Sequence, residues 1–239
     1  MTFNNALLVV SSLSFFFMPS ASANSVLSVT EKVAGKSQSV YTKQWWQWVN
    51  LVPPGVKPYQ DPTGALCGMN QKYDVWFLAG TDGTDDVIRE CVVPVGKYLF
   101  FPVINMLGHS SPGKTLTCDQ AKLEASENND HLMWAKVEID GVVVQKIKSH
   151  RIRPDICFDA YPIASYLNKP QSYFPAATDG YWLMLKPLSP GSHIINVRAR
   201  YSNPGSQFGD LEQIFEYRLW IKSKNAESSP PEKQSLINV

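Results

Sequence analysis

The chain has 239 residues, of which 44% are hydrophobic and 17 are prolines. This composition fits a folded globular chain and excludes both a disordered protein and a bundle of long helices. A net charge of +1 gives no surface excess of the kind that binds nucleic acid or an anionic membrane. All 22 basic and 21 acidic residues lie after Thr30, so the chain opens on an uncharged segment.

The uncharged opening has the pattern of a secretory signal peptide at 1–23. Ala6–Met18 is an apolar stretch, and Ala21-Ser22-Ala23 is a small-residue cleavage site of the A-x-A kind. The stretch is shorter than the about 20 residues of a membrane-spanning helix. Met1–Asn5 lacks the basic residues usual in a signal, which leaves a non-cleaved anchor as the alternative. We predict export to the periplasm or beyond the cell, with a polar lead-in at 24–39.

Two helices are predicted. The apolar residues of the first recur at helical spacing and form one stripe, at Tyr41, Trp45, Trp48, Val49 and Val52. Pro53-Pro54 ends this helix, because the residue before a proline is pushed out of the α region. The second helix is short, at 119–128, with Asp119 as its N-cap.

Strand patterns follow the first helix. The runs at 74–79 and 87–93 are rich in β-branched and aromatic residues and flank a turn at 80–83, which predicts a hairpin. A further strand is predicted at 97–104. Three more strand patterns occupy the last third of the chain, at 181–185, 193–201 and 213–221.

A second hairpin is predicted at Asp140-Gly141, between strands at 132–139 and 142–147. Asp-Gly supplies the positive φ values of a type I′ turn. A long connection at 149–175, broken by prolines, separates this hairpin from the last strands.

About eight short strands with turn signals predict a mostly β fold. We expect an antiparallel β-sandwich, jelly-roll-like or Ig-like, with an N-terminal amphipathic helix and a second short helix. A single β-rich domain is assigned to 40–221. Residues 222–239 are polar and low in aromatics, which predicts a disordered tail.

Export makes two disulfides the expected state of the four cysteines, since an exported chain meets an oxidising environment. Three pairings are possible. We favour Cys67–Cys91 and Cys118–Cys157, because pairing in sequence order closes two loops of moderate length and because the first pair flanks the first predicted hairpin. A thiolate metal site is disfavoured, since the sequence has no C-x-x-C spacing.

Several motifs resemble those of a group of uncharacterised exported bacterial proteins. The shared patterns are WWxW, VWFLAGT and RxCxVPxGKxxFFP, which stand here at 45–48, 75–81 and 89–102. Residues 179–185 are similar to the C-terminal strands of that group. The resemblance implies export and a disulfide-bonded, β-rich domain, and it transfers no catalytic residue to this chain.

The standard catalytic signatures are absent from the sequence, which has no nucleophile elbow, zinc-binding H-E-x-x-H or P-loop. Four scattered histidines, none with a metal-ligand neighbour at short spacing, are His109, His131, His150 and His193. Triads assemble in space, so a secreted hydrolase that draws on His109 with Asp155 or Asp159 stays an alternative.

The densest carboxylate cluster is a candidate Ca²⁺ site. It contains Asp82, Asp85 and Asp86 but lacks the spacing of a calcium-binding loop. The other interpretation is a polar turn, in which Asp and Gly supply the backbone conformation.

Aromatic residues give the leading hypothesis, a protein that binds a glycan or an envelope partner without catalysis. Trp46 lies about 100° from the apolar stripe of the first helix and is expected to be exposed or to pack under a loop. Tyr59 and Tyr173, on flanking loops, are weaker candidates for the same site. Among the strand tryptophans, half should face the core. A structural assembly factor of the envelope is the third alternative.

Overall fold

Two β-sheets and two helices make up the fold in the computed structural model, which describes residues 25–162, 166–168, 170–206 and 209–223. The predicted signal at 1–23 and residues 224–239 of the predicted tail lie outside the described residues. The helices are α1 (Gln38–Val49) and α2 (Cys118–Glu127). The strands in chain order are β1 Val75–Phe77, β2 Val87–Pro94, β3 Tyr98–His109, β4 Leu132–Ile139, β5 Val142–Val143, β6 Arg151–Ile152, β7 Ala176–Leu185, β8 Gly191–Ser202 and β9 Asp210–Lys222.

The mostly β fold is confirmed, but the sheets are mixed and not purely antiparallel. One sheet has the order β1-β3-β7-β6, and the other has the order β2-β9-β8-β4-β5. β1 runs parallel to β3, and β2 runs parallel to β9. In both parallel pairs, at least one other strand lies between the two partners along the chain, so no hairpin joins them. Local sequence pattern identifies such strands but carries no information on which strand they will pair with.

The predicted hairpin of 74–79 with 87–93 is wrong, because β1 and β2 lie in different sheets. The chain between them crosses from one sheet to the other. Tyr217 Oη accepts from the Ala79 N–H at 3.0 Å, and Gln213 Oε1 accepts from the Thr81 N–H at 2.9 Å. Both acceptors stand on β9, so partners from the five-stranded sheet hold this part of the backbone, and the local turn at 81–84 does not pair β1 with β2.

α1 covers the outer face of the four-stranded sheet. Its predicted stripe is buried at Tyr41, Trp45, Trp48 and Val49, whereas Val52 lies beyond the end of the helix. Trp45 donates from Nε1 to the Leu78 carbonyl at 2.9 Å, which satisfies the indole inside the core. The lead-in also packs on this sheet, since the Leu27 N–H donates to the Met184 carbonyl at 2.8 Å.

α2 begins at Cys118, one residue earlier than predicted. Its N-cap is Thr117, not Asp119, and the Thr117 hydroxyl accepts from the Gln120 N–H at 3.2 Å. The Gln120 side chain in turn accepts from the Thr117 N–H at 2.8 Å, which completes a capping box. Asp119 lies in the first turn, where its charge still favours the helix dipole.

The second hairpin is confirmed at its turn, but its second strand is shorter than the predicted 142–147. Asp140 and Gly141 have φ values of 50° and 78°, as a type I′ turn requires, and they join β4 to the two-residue β5. The three last strands are also confirmed and are longer than predicted. β7 extends back to Ala176 because it pairs with β3 as far as His109, so the buried polar residues Thr178 and Asp179 belong to the strand.

Both disulfides form as predicted. Cys67–Cys91 and Cys118–Cys157 have Cα–Cα distances of 6.0 and 5.9 Å. The first bridge ties the loop before β1 to β2 of the other sheet, so it links the two sheets and does not close a hairpin. Within the described ranges, neither helix has the length and apolar content to cross a membrane.

Neither helix covers the outer face of the five-stranded sheet. Among the strand tryptophans, Trp76 and Trp182 are buried, whereas Trp134 and Trp220 are 40% and 55% exposed on this face. The expectation that half of them face the core is confirmed. We call this surface the outer sheet face.

Candidate functional site

Two of the three predicted aromatic residues line one cavity. Trp46 of α1 and Tyr59 of the following loop meet at a space of about 240 Å³, where α1 and both sheets come together. The rest of the lining comes from α1, from the segment between β1 and β2 and from three strands, namely Trp45, Gly80, Thr81, Asp82, Ile104, Asn105, Met106, Tyr201, Leu211 and Gln213. We call this space the aromatic cavity. It is smaller than the about 300–1,000 Å³ of drug-sized ligand pockets, so it suits a ligand of one ring.

Trp46 is half-buried and held in one orientation. Its Nε1 donates to Thr178 Oγ1 at 2.7 Å, and the Thr178 hydroxyl donates onward to the Met106 carbonyl at 3.1 Å. The Trp45 ring meets it edge to face, with 5.0 Å between ring centroids. The fixed indole therefore presents its surface to the cavity at little cost in side-chain entropy.

Tyr59 stands on a short 3₁₀ turn at Pro58–Gln60. Its hydroxyl makes no hydrogen bond within the described part of the chain. Burial, together with the negative charge of Asp82 and the nearby Tyr166 phenol, raises the pKa of Tyr59 to about 12. The hydroxyl is therefore protonated at neutral pH and available to donate or accept a hydrogen bond.

A buried arginine fixes the wall behind Tyr59. Arg89 is 1% exposed, and its guanidinium donates to the carbonyls of Tyr59 at 3.1 Å, Ala79 at 2.9 Å and Gly80 at 2.8 Å. Its Nε donates to the Asp61 carbonyl. Because these donors are committed to the backbone, Arg89 positions the wall and has no role in direct ligand contact.

The Asp61 carboxylate anchors the same wall. Burial opposes its ionisation, but the Leu66, Thr63 and Gly64 N–H groups donate to it at 2.7 to 3.1 Å and hold the pKa of Asp61 below its usual value. The 61–66 loop is thereby closed on itself. Gly64 is required here, because a Cβ at its position would lie 2.3 Å from the Glu90 carbonyl oxygen.

Three polar groups of the cavity lining have unused hydrogen-bonding capacity among the described residues. Asn105 Nδ2 is buried and has no hydrogen-bond partner among the described residues. Asp82 is exposed at the rim; its Oδ1 accepts from the Thr84 hydroxyl at 2.7 Å, and Oδ2 makes no hydrogen bond within the described ranges. The Tyr59 hydroxyl is the third. The Gln213 amide is already bonded to the backbone, because its Oε1 accepts from the Thr81 N–H and its Nε2 donates to the Val103 carbonyl.

Tyr173 does not line the aromatic cavity. It packs against Tyr161 with 4.8 Å between ring centroids, and both rings lie near the imidazole of His109 at 5.9 and 5.7 Å. The sequence offered no indication of this grouping, because Tyr173 and His109 are 64 positions apart and lie on different elements.

The residues of the hydrolase alternative have other partners. His109 Nδ1 lies 2.6 Å from the Ser110 carbonyl, so this nitrogen carries the proton and donates. Asp159 Oδ1 accepts from the Tyr161 N–H at 2.8 Å, and Asp155 is exposed. Neither carboxylate hydrogen-bonds to His109 in the described part of the chain.

Sequence reasoning missed a triad-like group at the start of β8. His193 Nδ1 lies 2.7 Å from Asp140 Oδ2, and its Nε2 lies 3.4 Å from the Ser189 hydroxyl. Nε2 also lies 2.9 Å from the Ser189 carbonyl oxygen, which only accepts hydrogen bonds. Nε2 is therefore a donor and has no lone pair with which to take the serine proton. The group ties β8 to the 140–141 turn.

A buried lysine at the end of α1 was also missed. Lys57 is 5% exposed; its Nζ donates to Asn50 Oδ1 at 2.6 Å and lies 5.9 Å from the ring centroids of both Tyr161 and Tyr166. Burial lowers the pKa of Lys57 to about 8. The ammonium also lies 3.4 Å from the Val49 carbonyl, where it caps the C-terminus of the helix.

The described residues contain no group of three or more His, Cys, Asp or Glu side chains that could hold a metal ion. Asp82, Asp85 and Asp86 are exposed, and Asp82 closes a local turn with Thr84. This geometry agrees with the turn interpretation of that segment.

Comparisons of the chain with protein-family models, with curated proteins and with solved structures found no match in any of the three.

Proposed function

We propose that this chain is an exported, non-enzymatic protein of the jelly-roll-like or Ig-like sandwich kind that binds one ring of a glycan in the aromatic cavity. The observation that supports this function is the convergence of Trp46 and Tyr59, two flat aromatic surfaces, on one small cavity. Aromatic faces stack on the apolar faces of sugar rings, since both exclude water over a flat area. The two disulfides agree with an oxidising extracytoplasmic location.

The polar groups of the cavity also suit a sugar. Asn105 Nδ2, which has no hydrogen-bond partner among the described residues, offers a donor to a ring hydroxyl, and the Asp82 carboxylate offers an acceptor at the rim. Burying an amide without a partner costs free energy, and a bound hydroxyl would recover it. A purely apolar ligand would leave this group unsatisfied.

Isothermal titration with monosaccharides and with cell-wall and polysaccharide fragments tests the proposal. We expect binding by the full protein, a loss of at least tenfold in affinity in Trp46→Ala and Tyr59→Ala, and no change in Trp134→Ala on the outer sheet face. Circular dichroism of each variant separates lost binding from lost folding. If no fragment binds the native protein, or if Trp134→Ala is affected like Trp46→Ala, the proposal is wrong.

A separate observation favours the structural alternative, with a second copy of this chain as the partner. Val92 and Trp220, neighbours on β2 and β9, are both about half exposed on the outer sheet face. On the same face, Arg218 Nε lies 2.7 Å from Glu216 Oε1, so the charge next to Trp220 on β9 is paired. A contact between two copies around Val92 and Trp220 would bury their exposed apolar side chains.

Sedimentation velocity tests this alternative. A dimer of the native protein that dissociates in Trp220→Ser, while Trp46→Ala stays dimeric, supports it. A native protein that is monomeric at high concentration removes it.

A further inference from the structure

The charge that lines the aromatic cavity is negative. Among the described residues of its lining, Asp82 is the single charged one. The nearest basic side chain behind the wall, Arg89, directs its donors to backbone carbonyls. Arg200, next to the lining residue Tyr201, pairs with Asp210 at 3.4 Å and Glu212 at 3.7 Å. In the part of the chain that the structure describes, a ligand in the cavity therefore meets a carboxylate and no cation in the lining.

The aromatic walls favour the same sign of charge in the ligand. The faces of indole and phenol rings carry negative electrostatic potential and attract a cation within about 6 Å of the ring centroid. Trp46 and Tyr59 form these walls. The charge of Asp82 also reaches the Tyr59 phenol, since it contributes to raising the pKa of Tyr59. Carboxylate and aromatic faces thus act on the same region of the cavity.

From these features we infer that the ligand carries a protonated amine, and that the cavity selects an amino sugar over a neutral sugar of the same shape. This inference rests on the proposed function. The ammonium group is placed at the rim, between the Asp82 carboxylate and the Trp46 and Tyr59 rings. The ring hydroxyls lie toward Asn105. An anionic ring, such as a uronic acid, is disfavoured by Asp82.

Titration with three probes of one ring shape tests the inference. D-glucosamine, D-glucose and N-acetyl-D-glucosamine differ at one position, which carries an ammonium, a hydroxyl and a neutral amide. We expect the native protein to bind glucosamine about threefold to tenfold more tightly than glucose, because exposed cation–π and ion-pair contacts are modest. The preference should shrink as salt is added.

Asp82→Asn isolates the charge. Asparagine keeps the oxygen that accepts from Thr84, so the turn is preserved. We expect glucosamine binding to fall to within about twofold of glucose binding in this variant, because only the aromatic attraction is left. Asp85→Asn is the matched control, since Asp85 is exposed on the same segment but does not line the cavity, and it should retain the full preference.

The outcomes separate the two proposals. Equal binding of glucose and glucosamine by the native protein overturns the inference and leaves the proposed function intact, as does a preference that survives in Asp82→Asn. If none of these probes and no other sugar binds, the proposed function itself fails.

Discussion

The buried amine of Lys57 predicts that the protein becomes more stable as the pH rises above neutrality. The folded pKa is about 8, whereas an exposed lysine titrates at 10.5. Between these pH values the unfolded chain binds more protons than the folded chain, so the free energy of unfolding increases with pH. By pH 9.5 the increase relative to pH 7 is about 2 kcal/mol.

The increase should reverse above pH 10. Burial raises the pKa of Tyr59 to about 12, so the unfolded chain loses that phenolic proton first as the pH passes 10. The folded chain then binds more protons, and the free energy of unfolding falls with pH. We therefore expect a maximum of stability between about pH 9 and 10.

Urea unfolding followed by tryptophan fluorescence, at steps from pH 7 to pH 9.5, measures this effect. Lys57→Met should abolish the increase, because the titrating group is gone. Lys72→Met is the matched control; Lys72 is exposed and its variant should keep the native slope. A flat native profile, or an increase that persists in Lys57→Met, would refute the reasoning.

Two further predictions concern the wall behind the cavity, and both are measured as free energies of unfolding at neutral pH. Arg89→Met leaves backbone carbonyls without donors and should lower the free energy of unfolding by at least about 4 kcal/mol. The control Arg218→Met, on the exposed side of β9, should lower it by less than about 0.5 kcal/mol. Similar losses in the two variants would contradict the structural role of Arg89. Gly64→Ala forces a contact with the Glu90 carbonyl and should lower the free energy of unfolding by about 2–4 kcal/mol. Its control is Gly55→Ala, because Gly55 also has a positive φ but has open space around it; this variant should lose about 1 kcal/mol. Equal losses in the two glycine variants would show that the close approach at Gly64 does not matter.

The sequence predicted the features that depend on neighbours along the chain. The Asp140-Gly141 hairpin follows from turn chemistry, and the α1 stripe follows from helical spacing. The cysteine pairing was correct although its hairpin argument was wrong. Cys91 reaches Cys67 because the 61–67 loop folds against β2, where the Glu90 N–H donates to the Thr63 carbonyl at 2.9 Å.

Features that depend on distant partners were not predictable. β2 pairs with β9, more than 120 positions later, and no local pattern encodes that choice. The same limit applies to the candidate site. Trp46 was identified because it lies off the buried stripe, but its hydrogen bond to Thr178 joins residues 132 positions apart. The role of Arg89 in holding Tyr59 was likewise invisible, because it consists of contacts to backbone carbonyls of two separate segments, 59–61 and 79–80.

The indole N–H resonance of Trp46 gives the most direct test of the aromatic cavity as a glycan site. We would titrate ¹⁵N-labelled protein with the sugar panel, assign the signal with Trp46→Phe, and use the Trp220 signal on the outer sheet face as the internal control. The account predicts that a sugar shifts the Trp46 resonance in a saturable way and leaves Trp220 unchanged. A Trp46 resonance that no sugar moves, or a shift confined to Trp220, would contradict it.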